Sequence, residues 1–430
     1  MWKTIKEAFV NKDLRNKILV TLLCLFIYRL GCYIPIPGID PATFNTKAGE
    51  NDFLSLLSDV SGGALSKGAL LSLGVGPYIT SSIVIQLLTL AIPAIERLSK
   101  QGSDGRKKLA QITRYIALLL GIAQATAIVL SFDMTSAETL FWKGAPGWLL
   151  QAMVVLTLVA GSMFTVWLGE KITELGVSNG MSMIVFIGIL STGVTSLVAS
   201  IGAAIDNIEL LATPIVFLVM LAMIFAIIVF FDLAERRIPV TYAKQIKGNK
   251  MYGGQSSNIP VRINANGVMP IIFAISLINF PQLIMSFWPT SDAFIWYSKW
   301  MGTGTWLNIS ITALLILAFN YFYATMSFNP KDISLQIQRN GGFILGYRPG
   351  KPTEDYLKKV SHRITLFGAL FLMFVALIPS LIFKGVLGEG DVLNNAFTSI
   401  GMLIIVSVAL EIDKQLQAQM LMKEYKGFLK

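Results

Sequence analysis

The chain has 430 residues, of which 54% are hydrophobic and 14% charged, with a formal net charge of +10. A soluble domain carries about 25% charged residues, and a mean hydropathy of +0.64 would leave large apolar patches exposed in water; the composition excludes an ordinary water-soluble domain. Two cysteines and one histidine exclude a disulfide framework, a zinc site and a histidine metal cluster.

A helix needs about 20 apolar residues to span the hydrocarbon core. Spans are therefore predicted at about 18–36, 75–93, 113–132, 148–168, 182–204, 211–231, 268–288, 306–327, 365–383 and 395–412, the fifth interrupted by glycines. Met1 to Lys17 is a basic amphipathic stretch. The run after it ends in Pro35 and Pro37 without a small-residue cleavage site, so it reads as a span and not as a cleavable signal peptide. Cys24 and Cys32 lie in that run, where thiols behave as small apolar packing groups. Arg29 is the clear intramembrane charge. It is either a gating or ion site or a side chain that snorkels or pairs near the outer end of the helix; the second is the expectation. His362, beside Arg363 at the start of the ninth span, reads as a solvated interfacial residue.

Phe53–Ala64 (FLSLLSDVSGGA) is apolar enough to bury and too short to span. Ser61, Gly62 and Gly63 end it, and a full span follows almost at once. Two readings stay open. It is a short helix folded back into the membrane region, tolerated only where buried in protein or lining a cavity, or an amphipathic loop lying on the outer interface.

Lysine and arginine fall in alternate loops: 29 lie on one side and five on the other, at Lys47, Lys67, Lys143, Lys299 and Lys384. The side rich in positive charge is cytoplasmic, which puts both termini in the cytoplasm and makes the +10 a matter of topology. Two cytoplasmic loops are long, 232–267 and 329–364, and loops beyond about 15 residues are usually functional or disordered. In the first, Val240, Tyr242 and Ile246 with turn residues near Gly253 and Gly254 predict a hairpin. In the second, the YRPG turn puts Arg348 at an exposed tip. Such basic tips suit an acidic protein surface or RNA phosphate, although orientation-setting solvated charge accounts for most of the lysines. The chain contains no G-x-x-x-x-G-K-[ST], H-E-x-x-H or G-x-S-x-G motif.

Several stretches coincide in order and spacing: CYIPIPGID (32–40), SGGALSKGALLSLGVGPYITSSIVIQLL (61–88), ELGVSNGMSMIVFIGI (174–189), INANGVMPIIFA (263–274), FNPKDI and GYRPG. In these the chain resembles the SecY family, the channel subunit of the protein-export translocon, from the first span to the tenth. The resemblance implies an all-α polytopic membrane protein with ten transmembrane helices in two pseudo-symmetric five-helix halves, 1–205 and 206–430, and a short re-entrant plug helix. The plug would comprise Phe53, Leu54, Leu56, Leu57, Val60, Ser61, Gly62 and Gly63. The family's apolar pore ring would be Val75, Ile79, Met181, Val185, Ile272 and Ile404. An apolar constriction gates by dewetting and excludes ions because stripping their water is costly. Taken alone, each of these residues reads equally as packing or as a lipid-facing side chain.

A lateral gate is implied between the second and third spans and the seventh and eighth, with Thr80, Gln124, Ser276 and Asn279 as polar candidates that also fit ordinary helix–helix contacts. Such pairs contribute about 0.6 kcal/mol each, against about 0.8 kcal/mol for each CH₂ of an entering signal sequence. Arg236, Arg237, Lys244, Lys250 and Arg348 match the family's basic docking positions for the SecA ATPase or the ribosome. The other partners implied are small membrane subunits of the SecE and SecG type, signal peptides, unfolded precursor proteins and membrane lipid. No cofactor and no catalysis by the chain itself are implied, and the expected location is the plasma membrane. A secondary transporter of small solutes is the competing class. It fits ten spans in two halves with a broken helix, but should carry more intramembrane charge than Arg29. An intramembrane enzyme lacks a convergent catalytic set.

Overall fold

A computed structural model describes residues 7, 9–37, 61–140, 147–206, 212–242, 245–247, 250–252, 256–264, 267, 269–285, 291–302, 305–387 and 399–428. In chain order the helices are α1 (Lys12–Gly31), α2 (Gly76–Ala91), α3 (Pro93–Ser99), α4 (Ser103–Leu140), α5 (Gly147–Leu175), α6 (Gly180–Asp206), α7 (Ala212–Leu233), α8 (Met269–Met285), α9 (Asp292–Met301), α10 (Trp306–Ser327), α11 (Pro330–Arg339), α12 (Lys351–Leu387) and α13 (Ser399–Phe428). The strands are β1 (Glu235–Tyr242), β2 (Gln245–Lys247), β3 (Lys250–Tyr252), β4 (Ser256–Arg262) and β5 (Gly342–Phe343). A helix overlaps each of the ten predicted spans, with the first ending at Gly31. Among the described residues six helices are long and apolar enough to cross a membrane, or seven if α2 and α3 form one span broken by a 107° bend. Pro93 opens α3; its ring cannot continue the preceding helix, so the chain turns there.

The spans carry their apolar residues outward as well as inward. Only 22% of the apolar window in Pro214–Leu233 is buried within the protein, and Val219, Met223 and Phe230 on α7 are exposed. A helix that is apolar on its uncovered face needs lipid there, and this makes the chain a multi-pass membrane protein.

Packing divides the chain into two units: Met1–Pro214 with Ser276–Asn308 and Glu389–Lys430, and Ile215–Ile275 with Ile309–Gly388. This partition follows backbone proximity, and is a different one from a division by span order.

In the first unit α2 packs on α4, α4 on α5, α5 on α6 and α6 on α13. Residues 61–75 run as irregular turns among these helices. Ser61, Ala64, Leu65, Leu71 and Leu73 are all buried. Irregular backbone at this depth must find its hydrogen bonds within protein, and it does. Ile36 donates its amide to the Gly68 carbonyl at 2.9 Å, Leu70 donates to the Ile34 carbonyl at 2.8 Å, and Ser162 Oγ donates to the Gly74 carbonyl at 3.0 Å. Gly161 of α5 lies so close to the Leu70 carbonyl that any side chain there would strike it. The core beneath is Ile36, Leu65, Leu73, Ile128, Val154 and Leu158 with their neighbours.

The glycines do not interrupt the fifth span: α6 is continuous from Gly180 to Asp206. They mark close approach instead. A side chain at Gly180 would meet the Gly169 carbonyl of α5, and Gly188 abuts Gly62.

In the second unit β1 pairs antiparallel with β4 over seven residues and with β5 over two. Ile238 and Val240 alternate inward along β1, as the two-residue period of a half-buried strand requires. They share one core with Val261 of β4, Ile337 of α11, Ile344, and Leu357 and Val360 of α12. Antiparallel pairing is present in this loop, β1 with β4 and β2 with β3, while the predicted turn residues Gly253 and Gly254 lie outside the described residues. Helix α11 was not predicted; Asn329 caps it by accepting from the Lys331 amide at 3.2 Å, with Pro330 at its first position. The two long loops thus fold into one module.

Candidate functional site

The ring candidates sit on different elements. Val75 is the N-cap of α2 and 2% exposed; its carbonyl accepts from the Ile79 amide at 3.0 Å, so the two side chains lie one turn apart. Val185 of α6 and Ile404 of α13 are buried on helices that pack together. Met181 is half-buried, and its thioether lies over Gly169 of α5, where an added Cβ would come within 2.6 Å of the sulfur. These five belong to the first packing unit, while Ile272, half-buried near the start of α8, belongs to the second.

Of the plug candidates, Phe53, Leu54, Leu56, Leu57 and Val60 lie outside the described residues. Ser61, Gly62 and Gly63 form its end. Gly62 and Gly63 take φ of +72° and +77°, a region glycine enters without penalty. The last turns of α1 hold this end: the Tyr28 hydroxyl donates to the Ser61 carbonyl at 3.3 Å and Arg29 Nη1 donates to the Gly62 carbonyl at 2.9 Å. The expectation that Arg29 pairs near the end of its helix therefore holds, with the Gly62 carbonyl and the Tyr33 hydroxyl as partners. Neither the identity of those partners nor the role of Gly188 was legible from spacing.

The lateral-gate candidates are unevenly placed. Thr80 donates to the Gly76 carbonyl of its own helix at 3.1 Å. Gln124 on α4 is buried, and its Oε1 has no hydrogen-bond partner among the described residues. Ser276 is half-buried on α8. Asn279 is on the same helix, its side chain outside the described residues.

On the folded cytoplasmic module Arg236 and Arg237 are exposed on β1, with Arg237 Nε 2.9 Å from Glu235 Oε1. Lys244 lies outside the described residues, and Lys250 opens β3. Arg348 is exposed in a turn pinned on both sides. Thr353 Oγ1 donates to the Arg348 carbonyl at 2.7 Å and Ser334 Oγ to the Gly350 carbonyl at 2.8 Å. The Tyr347 and Tyr356 rings stack at 4.2 Å. Gly346 and Gly350 supply the positive φ of +86° and +99° that the reversal needs. The backbone at Arg348 is thus held in place, and its side chain stands exposed on the turn.

A multi-pass helical membrane protein, with buried irregular backbone before its second span and a rigid basic module on its loops, is the class these features define. The family model described as SecY matches residues 69–412. The Thermotoga maritima protein translocase subunit SecY is 37% identical over 441 residues, covering 100% of this chain and 98% of that protein. The Mycobacterium tuberculosis subunit of the same name is 38% identical over 456 residues, covering 99% and 100%. Among solved structures, a protein-conducting channel matches with a TM-score of 0.62 at 19% identity, covering 94% of this chain and 92% of that one. Sec61 in the canine ribosome–channel complex matches with a TM-score of 0.57 at 18% identity, over 94% and 92%. The structural likenesses show the fold. The chain belongs to the SecY family.

Proposed function

We propose that the chain is the protein-conducting channel of a Sec translocon, passing unfolded secretory proteins across the plasma membrane and releasing signal or transmembrane segments sideways into lipid. The full-length similarity to translocase subunits carries this reading. The ten spans form two pseudo-symmetric halves, 1–205 and 206–430, with both termini cytoplasmic. Val75, Ile79, Met181, Val185, Ile272 and Ile404 make an apolar ring that offers a moving chain no fixed partner, and residues 53–63 plug it. Thr80, Gln124, Ser276 and Asn279 line the lateral gate; the unsatisfied buried Oε1 of Gln124 supports a polar group kept for an exchange of partners, since a static core seldom leaves one unpaired. The basic module, with Arg236, Arg237, Lys244, Lys250 and above all Arg348, receives the SecA ATPase or a ribosome. The chain performs no catalysis; the partner supplies the energy, and SecE and SecG type subunits complete the complex.

The test is reconstitution in liposomes with the small partner subunit, SecA, ATP and a secretory precursor, read by protection of the precursor from protease. ATP- and signal-dependent protection is expected. Neither motor binding nor protection, from well-folded protein, overturns the channel reading and directs attention to solute uptake.

A further inference from the structure

We propose that the cleft between the end of α10, the start of α11 and the first turns of α12 holds the headgroup of an anionic phospholipid, with the phosphate on Lys331 and Lys358 and an acyl chain along Leu366 and Leu370. Such a site stands apart from the channel reading and needs only that α10 and α12 enter lipid. The cleft has a volume of about 240 Å³. That is just below the roughly 300–1,000 Å³ of sites that enclose a drug-sized molecule, so it takes a headgroup and leaves acyl chains outside. Tyr321 and Thr365 form its deep end, inside the predicted spans 306–327 and 365–383, while Lys331, Glu354 and Lys358 lie beyond them. The cleft therefore sits where hydrocarbon gives way to headgroups. Its walls are joined at the deep end, where Asn320 Nδ2 donates to the Thr365 carbonyl at 3.1 Å and the Tyr321 and His362 rings stand 6.1 Å apart.

The charge in the cleft is unbalanced. Lys331 and Lys358 are exposed, and among the described residues neither forms an ion pair, although Glu354 lines the same cleft. Lysines that only set orientation need no cleft, whereas a cleft with an excess of one sign of charge concentrates the opposite ion, and basic pockets between spans suit anionic headgroups. Thr325, Ser361 and Glu354 offer hydrogen-bond partners to the hydroxyls of a glycerol headgroup. The surface below decides between a lipid and free phosphate. On α12, Leu366 and Leu370 follow His362 at four-residue steps, on one face of the helix. Both are exposed, as is Phe374 one turn deeper. An apolar track thus continues the polar cleft into the bilayer, and a lipid occupies both parts where a free anion would use only the first.

The chain has a single histidine, and it lines this cleft, so isotopic labelling of histidine gives one imidazole to follow by NMR. The full chain, with its small partner subunit unlabelled and a histidine-free purification tag, is placed in phosphatidylcholine nanodiscs to which phosphatidylglycerol is added in steps. The imidazole resonance should shift and saturate. Lys331→Gln and Lys358→Gln should each weaken the apparent affinity by about fivefold, the effect of one lysine beside anionic lipid. Lys359→Gln, an exposed neighbour that does not line the cleft, should leave it unchanged. Inorganic phosphate added to nanodiscs of phosphatidylcholine alone should not move the signal. A shift that grows without saturating, or is the same in the wild type and every lysine variant, reflects the general surface charge of the membrane and overturns the site. An equal shift with inorganic phosphate overturns the lipid as occupant. No shift with either overturns the cleft as a binding site. Neither motor nor precursor enters this assay, so its failure leaves the channel reading untouched.

Discussion

Single residues decide whether irregular backbone can lie inside this membrane protein. Gly161 lets α5 approach the Leu70 carbonyl at a distance that no other residue allows, and Ser162 beside it donates to the Gly74 carbonyl. Gly202, on the neighbouring α6, has open space where a Cβ would go. Gly161→Ala should therefore destabilise by about 1–3 kcal/mol, because backbone atoms must move to admit a methyl. Gly202→Ala should be neutral or slightly stabilising, since alanine suits a helix better than glycine by about 1 kcal/mol. Thermal denaturation of the two variants in detergent checks this. Equal midpoints would mean that the close approach at Gly161 is not a constraint. Composition left a buried segment and an interfacial loop both open for residues 53–64, and which glycines touch backbone and which face open space was not legible, because a glycine in sequence carries no record of its neighbour.

At the scale of elements, the two long cytoplasmic loops are one folded object. The 61 residues between them in the chain hide a common core in which β1, β4, α11 and the first turns of α12 bury Ile238, Val261, Ile337 and Leu357 together. This core holds the pinned turn of Arg348 outward. Stability and recognition should separate cleanly here. Leu357→Ala opens a cavity beneath the module, with a cost of about 2–5 kcal/mol, and should speed proteolysis of both loops at once. Arg348→Glu should leave the proteolysis pattern unchanged while weakening binding of SecA or ribosomes by about tenfold or more. Faster cleavage of only one loop in Leu357→Ala would contradict the shared core. Unaltered binding by Arg348→Glu would remove the arginine from the docking face. Strand pairing in the first loop was legible from the alternation of Val240 and Tyr242 with polar residues. Helix α11 was not, since its apolar Ile333, Leu335 and Ile337 alternate in sequence as in a strand, whereas the fold buries Ser334 and Ile337 and exposes Leu335.

At the scale of the molecule, charge and hydropathy act on the chain as a whole. Exposed apolar side chains on α1, α7 and α12, such as Phe26, Val219 and Phe367, need lipid, and the excess of lysine and arginine in alternate loops sets which side faces the cytoplasm. In a background with Cys24 and Cys32 replaced, a cysteine at Lys299 should react with an impermeant maleimide in intact cells. One at Lys351 should react only after the membrane is opened. The reverse pattern would invert the topology and with it the docking role proposed for Arg348. A multi-pass helical architecture, together with the SecY resemblance, was readable without coordinates, because a bilayer enforces a length and a polarity on every segment that crosses it.

What the sequence by itself determined is therefore the solvent, the multi-pass helical architecture, the charge asymmetry and the family, all properties that accumulate along the chain or recur at fixed spacing. Only the tertiary structure decided that Arg29 reaches the carbonyl of Gly62, that Gly188 lies against the same turn, and that two distant loops share one core. Those are contacts between residues far apart in the chain, and their partners are selected by packing, which hydropathy and spacing do not encode.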